Sequence, residues 1–159
     1  MKNSAWDLTQ YDAPSFWDFC SSQLNESVRS AKHAFHVATV STITANGTPR
    51  SRSVILRHFD ADTPEVAFHT DIRSPKLKDL QNCRTLCVHW YDPASRVQIR
   101  LIASATVHHQ DGRTEQAWQS SRTTSRACYG TENAPGTTMN QFPPAPSIPH
   151  ENDHRGYAH

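Results

Sequence analysis

Between residues 97 and 108 the chain alternates without a fault. Val97, Ile99, Leu101, Ala103, Ala105 and Val107 fall on one face of a period-two pattern, and Gln98, Arg100, Ile102, Ser104, Thr106 and His108 fall on the other. Successive side chains of a strand point to opposite faces, so the spacing predicts a strand over 96–109 with one apolar side. Shorter β segments precede it, at 36–44 (HVATVSTIT), 52–59 (RSVILRHF), 65–71 (EVAFHTD) and 84–91 (RTLCVHWY). Turn chemistry separates them: Asn46-Gly47 is a strong hairpin signal, and Asp60–Pro64 and Asp92-Pro93 mark two more turns.

Helical spacing is confined to three places. Over 14–31, Phe16, Phe19, Cys20, Leu24 and Val28 recur at helical intervals and predict a covering helix. Ser15, with Asp18 three residues on, has the spacing of a capping box. A short helix is expected over 74–82, with Ser74 as N-cap and Pro75 in the first turn. A third follows over 111–121. After Gly130 the texture changes, and five of the ten prolines lie between Pro135 and Pro149. That composition predicts a loop or extended arm. The final stretch, HENDHRGYAH, carries no pattern for a closing strand. The expected organisation is one domain over 1–130 and a Pro-rich extended tail over 131–159, as in a truncated chain.

Five antiparallel strands, with a helix before them, one inserted and one after, predict a mostly β fold with flanking helices. A core of this kind closes into a small barrel because unpaired strand edges invite aggregation.

Composition narrows the function classes. The chain has 159 residues, one-domain length. Its 16 basic residues are matched by 15 acidic ones, so there is no broad electrostatic attraction to nucleic acid. Mean hydropathy is −0.69, and no run approaches the ~18 consecutive apolar residues of a membrane span. The first residues, MKNSAWDLTQ, lack a basic-then-apolar leader, and a cytoplasmic location is expected. Cys20, Cys83, Cys87 and Cys128 form no C-x-x-C pair, and Cys87 within TLCVHWY reads as a small buried hydrophobe. No metal site is expected, and His108-His109 reads as a solvated strand end.

Three features could carry chemistry. The first is RSRSVILRHFD, Arg50 to Asp60, where arginines flank an aliphatic strand. Arginine is almost never fully buried unpaired, so these residues either lie at a solvated rim or hold an anion. In a regular strand Arg52 shares a face with Val54 and Leu56, while Ser53, Ile55 and Arg57 share the other. The second is SPKLKDL. A helix N-terminus has unpaired N–H groups and partial positive charge, and Ser74 and Lys76 add a hydroxyl and an ammonium suited to phosphate. The third is Gln98, whose amide can both donate and accept, as a flavin or nucleobase edge requires.

In this order the three features resemble the pyridoxamine 5'-phosphate oxidase-like FMN-binding split barrels, over about Phe35 to Tyr129. The family's strand of aliphatics between basic residues is matched by RSVILR, its F-Y-T-N by FHTD, its S-R-K helix start by SPK, and its R-Q-V-x-V strand by RVQIRL. The resemblance implies that Arg52 holds the FMN phosphate, with Ser53 beside it. It lays the backbone of Val54, Ile55 and Leu56 along the isoalloxazine and sets Arg57 near its reactive edge. It makes His69 and Thr70 ribityl or phosphate contacts, Ser74 and Lys76 phosphate ligands, and Gln98 a partner of the flavin ring. Pro75 stands where the family has Arg, and Arg73, one position away, is a substitute. WQSSRTTSRACY resembles the family's aromatic-x3-Arg then Ser stretch, which implies substrate contacts from Trp118, Arg122 and Ser125, together with Arg57.

The same resemblance implies an FMN-dependent oxidoreductase acting on a small molecule, and a homodimer with FMN at its interface. Two departures bear on this. Arg57 stands where the oxidase has Lys, and the family's closing R-x-H-x-R segment has no match here. Two further readings stay open beside the enzyme: a non-catalytic flavin- or haem-binding module of the same fold, and a truncated, inactive fragment.

Overall fold

A computed structural model describes residues 11–141 and the backbone of residues 157–158. The N-terminal residues read for a leader, and Pro143, Pro144, Pro146 and Pro149 of the tail, lie outside the described residues. The chain divides into two compact units. One holds the described residues up to Ser41, with Ser51–Phe68 and Leu86–Ala103; the other holds Thr42–Arg50, His69–Thr85 and the described residues from Ser104 onward.

The element order is α1 (Ala13–Arg29), β1 (Val37–Ile43), β2 (Pro49–Ile55), β3 (His58–Asp60), β4 (Glu65–Ala67), β5 (Thr70–Asp71), α2 (Pro75–Asn82), β6 (Thr85–Asp92), β7 (Val97–Ser104), α3 (Gly112–Ser120), α4 (Thr123–Arg126) and β8 (Tyr157–Ala158). Strand pairing among the described residues is confined to three antiparallel sheets: β2-β1-β6-β7, β3-β4 and β5-β8. In the central sheet Thr39 faces His89, Val40 faces Val88 and Ser41 faces Cys87.

The alternation predicted for 97–108 holds through Ser104. Val97 and Ile99 are buried, while Gln98, Arg100 and Ile102 are exposed. The strand ends earlier than expected because its partner β6 begins only at Thr85. The last rung is Ala105 N–H donating to the Arg84 carbonyl at 2.8 Å. The segment 52–59 also divides. After Ile55 the chain leaves the central sheet, Leu56 N–H donates to His36 O at 2.9 Å, and Arg57 N–H donates to Ala67 O at 2.8 Å, starting the β3-β4 pair. The Asn46-Gly47 hairpin closes as a longer loop than two residues. Gly47 N–H donates to Thr44 O, Thr44 N–H donates to Thr48 O, and only Gly47, at φ 84°, takes the left-handed conformation.

In the first unit α1 covers the core with Cys20 and Leu24, the latter fully buried. Its cap differs from the expected one. Asp12 is the N-cap and accepts from Ser15 N–H at 2.9 Å, while Ser15 Oγ accepts from Asp12 N–H at 3.0 Å. Ser15 is thus the third residue of the box rather than its first, with Pro14 in the first turn, where its missing N–H costs nothing. Buried His36 ties the end of α1 to the start of β1: its Nδ1 donates to Ser27 O at 2.6 Å. Trp17 meets Phe59 edge-on at 6.3 Å. Ser21 Oγ and Trp90 Nε1 are buried without a protein partner.

Beside the buried apolar Leu77, Leu80, Ala117 and Trp118, the second unit buries many polar groups. Of the ten buried polar or charged residues described, Thr42, Thr70, Asp71, Ser74, Lys76, Asp79 and Thr114 belong to it. Five of those seven lie between Thr70 and Asp79. The chain end departs from expectation: the backbone of Tyr157–Ala158 forms β8, pairing Ala158 with Thr70 and Tyr157 with Asp71. No pattern of side chains announces a two-residue strand. No described helix is long and apolar enough to cross a membrane.

Candidate functional site

Five buried polar residues within one short stretch need an explanation, since burying a polar group is unfavourable unless it is paired or held for a ligand. The turn between β5 and α2 explains why they are there. Asp71 O accepts from Ser74 N–H at 3.0 Å, Ser74 O accepts from Leu77 N–H at 3.0 Å, and Pro75 follows the cap. Ser74 is the N-cap by backbone conformation, as expected, yet its side chain makes no capping hydrogen bond. Its hydroxyl accepts from Lys76 Nζ at 3.0 Å instead. Both residues are more than nine-tenths buried. A hydroxyl and an ammonium therefore sit together at a helix N-terminus, the chemistry that complements a phosphate.

The same helix is fastened further along. Asp79 accepts from the fully buried Thr42 hydroxyl at 2.8 Å and lies 3.5 Å from the Arg50 guanidinium. Arg50, first of the arginines in RSRSVILR, thus faces a carboxylate of its own chain. Thr70 is buried and His69 half-buried, just before this turn.

Arg73 does something other than the expected substitution for the missing phosphate ligand. Its Nε and Nη2 form a fork with Asp71, at 3.0 Å to Oδ1 and 2.7 Å to Oδ2. Its Nη1 donates to the carbonyls of Thr131 at 2.9 Å and Glu132 at 3.3 Å. All three side-chain nitrogens are engaged within the protein.

In the first unit Arg52 is half-buried, and its Nη1 donates to Val40 O at 3.3 Å. Val54 and Leu56 are buried, Ile55 and Arg57 half-buried, and Ser53 exposed, which keeps the two-face alternation of the arginine strand. Gln98 is exposed on β7, opposite the buried Val97 and Ile99.

The residues read as substrate contacts sit on α3 and α4. Trp118 is buried; Arg126 lies over its ring with the guanidinium carbon 5.1 Å from the centroid, and Tyr129 meets it edge-on at 6.1 Å. Arg122 is exposed at the N-cap of α4, and Ser125 is half-buried one turn on. Sequence spacing singles out Arg122 and misses Arg126, because α4 turns the chain back on α3. Asp71 and Asp79 were also missed: Asp79's partners, Thr42 and Arg50, are remote in sequence, and Asp71 is held by Arg73, whose other contacts, the Thr131 and Glu132 carbonyls, are equally remote. Asp111, the N-cap of α3, is held down to about 2 by the Thr114 backbone N–H and by His108, whose Nδ1 lies 2.7 Å from Oδ2. Burial pushes the Cys20 thiol up, away from reactivity. The four cysteines are free, and the described residues contain no cluster of metal-ligating side chains.

Comparison with known proteins agrees with this architecture. Residues 15–109 match the model of the pyridoxamine 5'-phosphate oxidase FMN-binding domain. The chain belongs to that family. A pyridoxine/pyridoxamine 5'-phosphate oxidase 2 of Arabidopsis thaliana is 27% identical over 111 residues, 64% of this chain and 56% of the relative, so the chain spans about half the length of that curated protein. Among solved structures, a pyridoxamine 5'-phosphate oxidase-related FMN-binding protein of Nostoc punctiforme superposes with a TM-score of 0.71 at 25% identity, over 94% of this chain and 80% of its own. PhzG of Burkholderia lata, solved with tetrahydrophenazine-1-carboxylic acid, superposes at 0.62 with 14% identity, over 82% and 63% respectively. The second of these shares the fold alone.

Proposed function

We propose that the chain is an FMN-binding flavoprotein with oxidoreductase activity, built as a split barrel over residues 1–130 with the tail 131–159 appended. The observation that carries this reading is the Ser74–Lys76 pair, buried at the N-terminus of α2 with the Ser74 hydroxyl released from capping. It fits a phosphate monoester in charge, donor number and helix polarity.

Each residue then has a role. Ser74 and Lys76 bind the phosphate, Arg52 supplies a second charge to it, and Ser53, His69 and Thr70 contact the phosphate or the ribityl chain. The backbone of Val54, Ile55 and Leu56 and the amide of Gln98 orient the ring. Arg57 lies at its reactive edge, where with Trp118, Arg122 and Ser125 it binds a small anionic substrate. The bound flavin supplies the electron chemistry. In this reading the protein is a cytoplasmic homodimer with FMN at the interface.

Titration of FMN, followed by quenching of flavin fluorescence, tests it. Saturable binding is expected, and Arg52→Ala should weaken it about 10- to 100-fold, the worth of a hydrogen bond to a charged group. Unchanged FMN fluorescence at stoichiometric protein sinks the reading. Reduction of the bound flavin by NAD(P)H and reoxidation by candidate substrates separates an enzyme from a binding module. A module would bind FMN with the same Arg52 dependence and turn nothing over.

A further inference from the structure

In the second unit the chain after α4 returns to the turn that leads into α2, and Arg73 is the joint. One guanidinium forks the Asp71 carboxylate, 5% exposed, and also donates to the carbonyls of Thr131 and Glu132. Asp71 Oδ1 further accepts from Arg73 N–H at 2.8 Å, which fixes the turn's backbone. A little further on, Gly136, at φ 81°, lies against Pro75: a Cβ there would stand 3.7 Å from Pro75 Cγ. The backbone of Tyr157–Ala158 also pairs with Thr70–Asp71. Contacts from beyond residue 130 therefore fall on residues 70–75, directly before Lys76.

A forked arginine–carboxylate pair is directional, and removing one partner of a buried pair leaves an uncompensated charge. We propose that Arg73 is a positioning residue. It clasps residues 131–136 as a strap onto the β5–α2 turn, so that strap order and the placement of Ser74 and Lys76 rise and fall together. Arg73 acts through the turn and does not itself touch the anion. Coupling between two events is reciprocal, so an anion at Ser74 and Lys76 tightens the strap by the factor by which the strap tightens the anion. The ligand half of this inference rests on the FMN reading; the clasp does not.

Hydrogen exchange on the full chain tests the clasp without any ligand. In Arg73→Gln, amides of 70–77 and of 128–137 should both exchange about tenfold faster or more, while 37–43 and 85–92 keep wild-type protection. Arg73→Lys keeps one charge but cannot fork Asp71 and hold two carbonyls together. It should recover part of the protection at 70–77 and little at 128–137. Gly136→Val, strained at a positive φ, attacks the strap from its far end and should also loosen 70–77. It decides the matter if Arg73→Gln loses protection everywhere. Loosening of 128–137 with 70–77 unchanged, in either variant, makes the strap a passenger and overturns the proposal, as does no change in both segments. With FMN present, Arg73→Gln should bind about tenfold more weakly, and FMN should protect 128–137 in the wild type. If the wild type binds no FMN, the flavin reading fails, and the exchange results still decide the clasp.

Discussion

At the scale of single residues, the chain places charge where a partner can be found for it. Asp79 is buried and receives the Thr42 hydroxyl, with Arg50 at 3.5 Å. Asp79→Ala removes the buried carboxylate that accepts from the Thr42 hydroxyl, so a loss of about 1–3 kcal/mol in urea unfolding is expected. A variant as stable as the wild type would mean that this hydrogen bond contributes nothing to stability. Ser21 is the opposite case. Its hydroxyl is buried without a protein partner, so Ser21→Ala should be neutral or stabilising by up to about 1 kcal/mol in the same measurement. The sequence shows the residue types of such pairs but not the pairs. Arg50 stands out as an arginine needing an anion, yet nothing near it in sequence names Asp79. Arg73 reads equally well as a phosphate ligand until the Thr131 and Glu132 carbonyls are seen beside it.

At the scale of elements, what could be read depended on how many residues repeat a signal. The period-two run of β7 and the apolar stripe of α1 carry enough repeats to be legible. Their ends are not, because an end is decided by a neighbour. β7 stops where β6 begins at Thr85, and α1 starts at Ala13, capped by Asp12, because Ser15 serves the box from inside the helix. The two-residue β8 has no repeat at all, so the chain end reads as strandless. Helix α3 offers a test of its own. Asp111 has a folded pKa of about 2, depressed by the Thr114 N–H and His108. A depressed carboxylate contributes stability above its unfolded pKa of about 4 and loses it as pH falls through the folded value. Acid unfolding of the wild type should therefore steepen between about pH 4 and pH 2. Asp111→Asn should flatten that part of the curve. Identical acid limbs would show that the cap does not contribute. In the core, Leu24→Ala removes a fully buried side chain and should cost about 2–5 kcal/mol.

At the scale of the whole molecule, the order of motifs was legible and their surroundings were not. RSVILR, FHTD, SPK and RVQIRL in succession point to the FMN-binding domain family, to which residues 15–109 belong. The burial of Ser74 and Lys76, the release of the Ser74 hydroxyl and the return of the chain onto residues 70–75 are properties of the packed second unit. On the proposed function the assembly is a homodimer, so light scattering should give about twice the chain mass of 17.9 kDa. A monomer that still binds FMN would remove the interface from the account and leave the cofactor in place.

The central claim, that Ser74 and Lys76 hold the phosphate of FMN, is tested most directly by ³¹P NMR of FMN titrated with the protein. The phosphate resonance should shift and broaden, saturate at one FMN per chain, and return to its free position with Lys76→Met. A resonance that stays at the position of free FMN with stoichiometric wild-type protein would contradict the claim.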